Sequence, residues 1–192
     1  MPLPKFATRT GDAGETSLWS GQRVRKTDPR IQLNAEIDFA LSALGRGLDT
    51  LRCHPDASIR ALLPRLLELQ RRFIPLMGEV ATAESEREAY LSRGHAITEA
   101  DLSDVDALYE NAHQQASVAR GEVAKWQLYG EKGAAAAEFY FVRAAFRRAE
   151  LAAWSTHEAG FPLRPIVLKI LNRCGDLFFA IALWLEESRP QE

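Results

Sequence analysis

Two stretches of this chain carry residue types at spacings that could do chemistry. In FYFVRAAFRRAEL, Arg143, Arg147 and Glu150 are spaced by four and then three residues, so on a helix they form one narrow stripe. That stripe borders an apolar face made of Phe139, Val142, Phe146, Ala149 and Ala153. Arg148 points about 100° away from Arg147. The second stretch is ATRTGDAGETSLWS, residues 7–20. Gly11 and Gly14 allow a positive φ, which lets successive N–H groups converge on an anion. Thr8, Thr10, Thr16 and Ser17 add hydroxyls, and Arg9, Arg23, Arg25, Lys26 and Arg30 add positive charge. No apolar strand precedes this run, so it is neither a Walker P-loop nor a dinucleotide fingerprint. The chemistry on offer is anion binding and stabilisation of negative charge.

Other polar groups lie beside apolar stripes. Asp38 sits next to Ser42 and Gly45, small residues that let another helix approach, and an arginine of the fourth helix is its natural partner. ILNRCGDLFFA puts Asn172 and Asp176 one turn apart on a face otherwise lined by Leu168, Phe179 and Leu183. These two either cap a neighbouring backbone or line a polar site. Each feature also has a plain structural reading: a solvated face knitted by Arg–Glu pairs, a surface aspartate, a glycine turn in an arm. Metal signals are poor, since Glu110 and His113 form one Glu-x-x-His pair where a dimetal bundle needs two, with two further glutamates. No Ser-His-Asp or Cys-His set assembles. Any reaction therefore relies on charge stabilisation rather than a side-chain nucleophile.

The elements that must position these groups are helical. Residues 1–29 hold the turn chemistry and form an arm. Asp28-Pro29 reads as an N-cap with proline at the first helical position. Ile37, Leu41, Leu44, Leu48 and Leu51 then mark the first helix. The periodicity predicts a second helix over about 57–83, kinked or broken near Pro64 or Pro75. Thr98 to Asp101 begins a third, ending near residue 118. Residues 119–133 read as a loop, and Ala134 opens a fourth helix that Gly160-Phe161-Pro162 ends. Pro165 opens the fifth, which reaches about Glu187 and is apolar nearly all round, as for a helix between neighbours or at an oligomer interface. No β-rich stretch stands out. The expectation is an all-α five-helix bundle in one domain over 1–192, an arm (1–29) and a bundle (30–188).

Composition sets the bounds. The 192 residues are 46% hydrophobic and 26% charged, with a net charge of −2, which offers no general pull toward nucleic acid or anionic membrane. Cys53 and Cys174 read as buried free thiols of a reducing compartment. MPLPKFATRT lacks a signal-peptide core, and LFFAIALWL is too short to span a bilayer. A soluble, cytoplasmic protein is expected.

Taken in order, RTGDAGETSL, RVRKTDPRI, EIDFALSALG, LQRRFIPLMGEVAT, ITEAD, VRAAFRRAE and PIVLKILNRCGD resemble the PduO-type ATP:cob(I)alamin adenosyltransferases over nearly the whole chain. The resemblance implies a homotrimer with active sites between subunits, transferring the 5′-deoxyadenosyl group of ATP to cob(I)alamin and releasing triphosphate. By motif position it implies that Thr8, Arg9, Thr10, Gly11, Asp12, Ala13, Gly14, Glu15, Thr16, Ser17 and Lys26 bind the ATP phosphates, with Mg²⁺ bridging phosphate oxygens. Arg147, Arg148, Glu150 and Asn172 match the nucleotide-contacting positions, and Arg147 matches the catalytic charge. Arg143 matches the arginine that pairs with Asp38 across the interface, on the corrinoid side. Protein partners compatible with it are a cobalamin reductase and an adenosylcobalamin-dependent enzyme.

This chain departs from the family pattern in places. Asp38-Phe39-Ala40-Leu41 stands for Asp-Glu-Leu-Asn, Phe139-Tyr140 for Leu-His, and Asn172-Arg173-Cys174-Gly175-Asp176 for Asn-Arg-Leu-Ser-Asp. In KWQLYGEKG the family's corrinoid-facing phenylalanine falls on Gln127 without a gap, and a one-residue shift gives that corrinoid-binding role to Trp126. A non-catalytic trimeric nucleotide- or corrinoid-binding protein, a carrier or sensor, therefore stays open as the alternative.

Overall fold

In a computed structural model, residues 9–94, 96–120 and 128–188 are described. Two short strands, β1 (Glu15–Ser17) and β2 (Arg23–Arg25), precede seven helices: α1 (Pro29–Arg52), α2 (Ala57–Arg60), α3 (Leu63–Val80), α4 (Arg87–Leu91), α5 (Glu99–Arg120), α6 (Ala134–Glu158) and α7 (Pro165–Glu187). A single 3-10 turn, Glu84–Glu86, leads into α4. The five long helices form the bundle. α6 packs against α1 and α7, α7 also against α5, and α1 against α3.

The helix starts follow their local chemistry. The Asp28 carboxylate accepts the Arg30 N–H at 3.0 Å and the Arg30 guanidinium at 2.8 Å, ahead of Pro29. At α5, Thr98 and Asp101 cap each other, the Thr98 N–H reaching the carboxylate at 2.8 Å. The same carboxylate accepts Arg72 of α3 at 2.6 Å, which ties α3 to α5. Both predicted apolar stripes point inward: Ile37, Leu41, Leu44, Leu48 and Leu51 of α1 are buried, as are Phe139, Val142, Phe146, Ala149 and Ala153 of α6. Phe146 links the layers, its ring centroid 5.3 Å from Phe73 and 4.8 Å from Phe178. α7 runs through the middle with most of its residues buried.

The structure corrects two expectations, on strands and on Cys53, and meets the expected break near Pro64: α2 is one turn capped by Asp56, and the chain restarts at α3 with Pro64 in its first turn, where a missing N–H costs nothing. Pro75 lies inside α3 without ending it. A β-hairpin exists in the arm, pairing Glu15 with Arg25, Thr16 with Val24 and Ser17 with Arg23. Cys53 is exposed, whereas Cys174 is buried, and both are free thiols. Among the described residues, no helix is long and apolar enough to cross a membrane.

Candidate functional site

The hairpin shapes the glycine loop. Arg9 and Gly14 adopt positive φ values of 60° and 83°, which turns the chain over residues 10–14. The Gly14 N–H donates to the Gly11 carbonyl at 3.2 Å, and the Lys26 N–H donates to the Gly14 carbonyl at 2.9 Å. Lys26 is thereby laid across the turn, its Nζ 3.2 Å from where a Cβ on Gly11 would stand. Arg23 reaches back to the Thr10 carbonyl at 2.9 Å and to the Ser17 hydroxyl at 3.3 Å. Arg9, Thr10, Asp12, Ala13, Gly14, Glu15 and Ser17 are exposed, with Gly11 and Thr16 half-buried. Thr8 lies outside the described residues. The result is an exposed, positively lined turn suited to an anion.

A second set of groups gathers where α6 meets α7. Arg147 is exposed, and its stem lies against Gly175, with Cγ 3.5 Å from where a Cβ would stand. One turn on, Glu150 accepts a hydrogen bond from the Asn172 amide at 2.8 Å. One turn back, the Arg143 guanidinium sits 5.0 Å from the centroid of the Phe179 ring. Arg173 pairs with Asp106 of α5 at 2.6 Å and with Asp176 at 3.4 Å. Arg147, Glu150 and Asn172 thus share one groove, with Arg143 beside them.

Other predicted groups lie elsewhere in the chain. Arg148 turns toward α1, where it pairs with Glu36 at 2.7 Å and lies 4.9 Å over the Phe39 ring. Asp38 lines a groove between α1 and α3 with Ser42, Gly45, Gln70 and Arg71. Among the described residues it forms no ion pair with an arginine of α6. No hydrogen bond or ion pair among them joins Gly11–Ser17 or Lys26 to Arg143, Arg147, Glu150 or Asn172. The loop and the α6–α7 groups thus form two separate sets, with no direct polar contact between them among the described residues.

Trp126 and Gln127 lie outside the described residues. Just beyond them, Tyr129 packs on Tyr140 at 4.5 Å, Tyr140 donates its hydroxyl to Glu186 at 2.9 Å, and Phe179 lies 6.1 Å from Tyr140. Lys132 pairs with Glu187 at 3.2 Å. This aromatic set runs into Arg143 through Phe179. Sequence reasoning did not single out Tyr129 or Glu186; a glutamate within the apolar LFFAIALWLEE run was the available signal.

The electrostatics agree with charge-based chemistry. Burial pushes the Cys174 thiol far up, which removes it as a nucleophile. The Arg30 guanidinium, bonded to Asp28, holds that carboxyl below its usual range. Among the described residues no three His, Cys, Asp or Glu side chains gather to hold a metal ion.

A family model for cobalamin adenosyltransferases matches residues 6–185. The corrinoid adenosyltransferase PduO of Salmonella typhimurium is 30% identical over 91% of this chain and 48% of its own length, so this chain spans about half of that relative. A cobalamin adenosyltransferase of Cupriavidus metallidurans is 32% identical over 94% of this chain and 87% of its own. The fold resembles that of a variant PduO-type ATP:corrinoid adenosyltransferase from Lactobacillus reuteri complexed with cobalamin and ATP. The TM-score is 0.76 at 24% identity, over 94% of this chain and 90% of the other. With nearly its full length matched and the five-helix architecture in place, the chain belongs to the cobalamin adenosyltransferase family.

Proposed function

We propose that the protein transfers the 5′-deoxyadenosyl group of ATP to the cobalt of cob(I)alamin. Reduced cobalt supplies the electron pair that forms the Co–C5′ bond, the C5′–O bond breaks, and its electrons leave with the triphosphate. The protein's task is then to align C5′ with cobalt and to stabilise the departing charge. The observation that carries this reading is the contrast between Arg147 and Arg148. Arg148 is neutralised by Glu36, whereas Arg147 stands exposed in the α6–α7 groove with no ion pair among the described residues. We assign Arg147 to the triphosphate, and Glu150 with Asn172 to the nucleoside. Residues 8–17 and Lys26 cradle the phosphates. Mg²⁺ would enter with ATP and neutralise phosphate charge beside this loop, where the Thr10, Thr16 and Ser17 hydroxyls and the exposed Asp12 and Glu15 carboxylates offer oxygen ligands.

Asp38 lines the α1–α3 groove while Arg143 lies against Phe179 of α7, and no direct polar contact among the described residues joins the loop to the α6–α7 groove, so a homotrimer completes each site from neighbouring copies. Arm (1–29) and bundle (30–188) act as one domain. Asp38, Arg143 and Trp126 serve the corrinoid side. A cytoplasmic setting, with a reductase supplying cob(I)alamin, fits this chemistry. The altered KWQLYGEKG segment favours a second reading, a binding protein that carries or senses its ligand without turnover. Protein, ATP, Mg²⁺ and chemically reduced cob(I)alamin mixed without oxygen separate the two. Appearance of the adenosylcobalamin spectrum supports the transferase, whereas saturable ATP binding without that product supports the carrier or sensor.

A further inference from the structure

We infer that Tyr90, seated in a notch left open by Gly78, fixes the glycine loop through Trp19 and so acts as a positioning residue for ATP. This rests on the assignment of residues 8–17 to the nucleotide.

The hairpin cannot hold its own position. Its strands pair over three residues each, and an isolated two-stranded hairpin is marginal in water. What fastens it is the turn opposite the glycine loop. There the Leu18 side chain is buried, the Leu18 N–H donates to the Gln22 carbonyl at 2.8 Å, and the Trp19 N–H donates to the Ala81 carbonyl at 2.9 Å. The Trp19 ring meets Tyr90 edge to face, 6.0 Å between centroids at 79°.

Tyr90 is itself locked. Its hydroxyl donates to the Pro75 carbonyl inside α3 at 2.8 Å. A Cβ on residue 78 would overlap that hydroxyl oxygen and stand 2.9 Å from the adjoining ring carbon. No other residue type at 78 leaves the phenol in place. Burial, with Glu79 nearby, also raises the Tyr90 pKa, so the phenol keeps the proton it donates.

A chain of contacts therefore runs from α3 through Tyr90 and Trp19 to the strands, and along them to Gly14 and Lys26. The Trp19 ring is largely exposed, at 62%, so its removal leaves the bundle core intact. An effect of Trp19 consequently falls on the loop rather than on global stability.

The test compares Trp19→Ala, Tyr90→Ala, the double variant and Trp19→Phe by ATP titration calorimetry and anaerobic steady-state kinetics. Loss of one aromatic pair predicts a Kd and KM for ATP raised about three- to tenfold. kcat at saturating ATP and KM for cob(I)alamin stay unchanged. Trp19→Phe restores ATP affinity, and the double variant is no worse than the weaker single one. Unchanged ATP affinity in the single variants, additive effects, or a parallel rise in the corrinoid KM would overturn the inference. Wild-type protein that binds no ATP removes the nucleotide assignment as well, and that result is read before any substitution is made.

Discussion

The glycine loop and the α6–α7 groove offer charge to an anion in opposite ways. In the loop, direction comes from backbone: a positive φ at Gly14, a bond from the Lys26 N–H, and three strand pairs. In the groove, direction comes from side chains on two long helices, Arg147 across Gly175 and Glu150 bonded to Asn172. The loop is rigid only while its seat on α3 holds. The groove is rigid because Phe139, Val142 and Phe146 bury the other side of α6. A loop of this kind fails through conformation, a helical groove through loss of a specific charge.

The largest expected effect lies under the loop's seat. Glu79 is buried at the end of α3 and accepts two bonds of 2.7 Å from Arg164, which begins α7 and also reaches the Ile97 carbonyl. Glu79→Ala strands that guanidinium, so urea unfolding should show a loss of about 3–5 kcal/mol. A loss within the error of the extrapolation would mean that the seat is held by packing alone.

Next comes the groove. Arg147→Ala should lower turnover about 10²–10³-fold, as for one transition-state donor, with an unchanged melting temperature. Wild-type kcat in that variant removes Arg147 from the mechanism. In the loop, Gly14→Val tests conformation without crowding, because no atom lies within 4 Å of a Cβ there. Strain of about 1–2 kcal/mol at positive φ predicts ATP affinity weakened about tenfold. A variant that binds ATP normally would show that the loop remakes its turn on binding.

Asp28 concerns the junction between arm and bundle. Its pKa is lowered by the Arg30 bond, so its contribution is present above the unfolded value, near ~4, and is lost as pH falls through the folded value. Asp28→Asn keeps an N-cap but removes the charge, at a cost of about 1 kcal/mol at neutral pH. Chemical unfolding across pH should find wild type and variant converging in acid; a constant gap would assign the effect to geometry. The smallest effect belongs to Arg148→Ala. Its exposed pair with Glu36 is worth at most about 1 kcal/mol, and turnover should stay near wild type. A loss matching that of Arg147→Ala would place both arginines on the nucleotide.

Much of the scaffold was legible because its causes are local. Asp28-Pro29, Thr98 with Asp101, and Pro165 mark helix starts by satisfying or omitting N–H groups at fixed offsets. The inward faces of α1 and α6 follow from a 3.6-residue period. The α2–α3 break was legible from Pro64, whose missing N–H suits a first turn, whereas the hairpin was hidden because three-residue strands leave no alternation to count. Exposed Cys53 was misread because its composition-based expectation ignored its place at a helix end.

Sequence by itself determined that Arg143, Arg147 and Glu150 share a stripe and that Arg148 points elsewhere, since helical geometry alone fixes those angles. It also determined family membership, through motifs that keep their order along the chain. Tertiary structure alone decided what each group meets: Glu36 for Arg148, Asn172 for Glu150, Phe179 for Arg143 and Tyr90 for Trp19. Those partners come from elements distant in the chain. Their meeting depends on helix packing, not on any spacing within a single element.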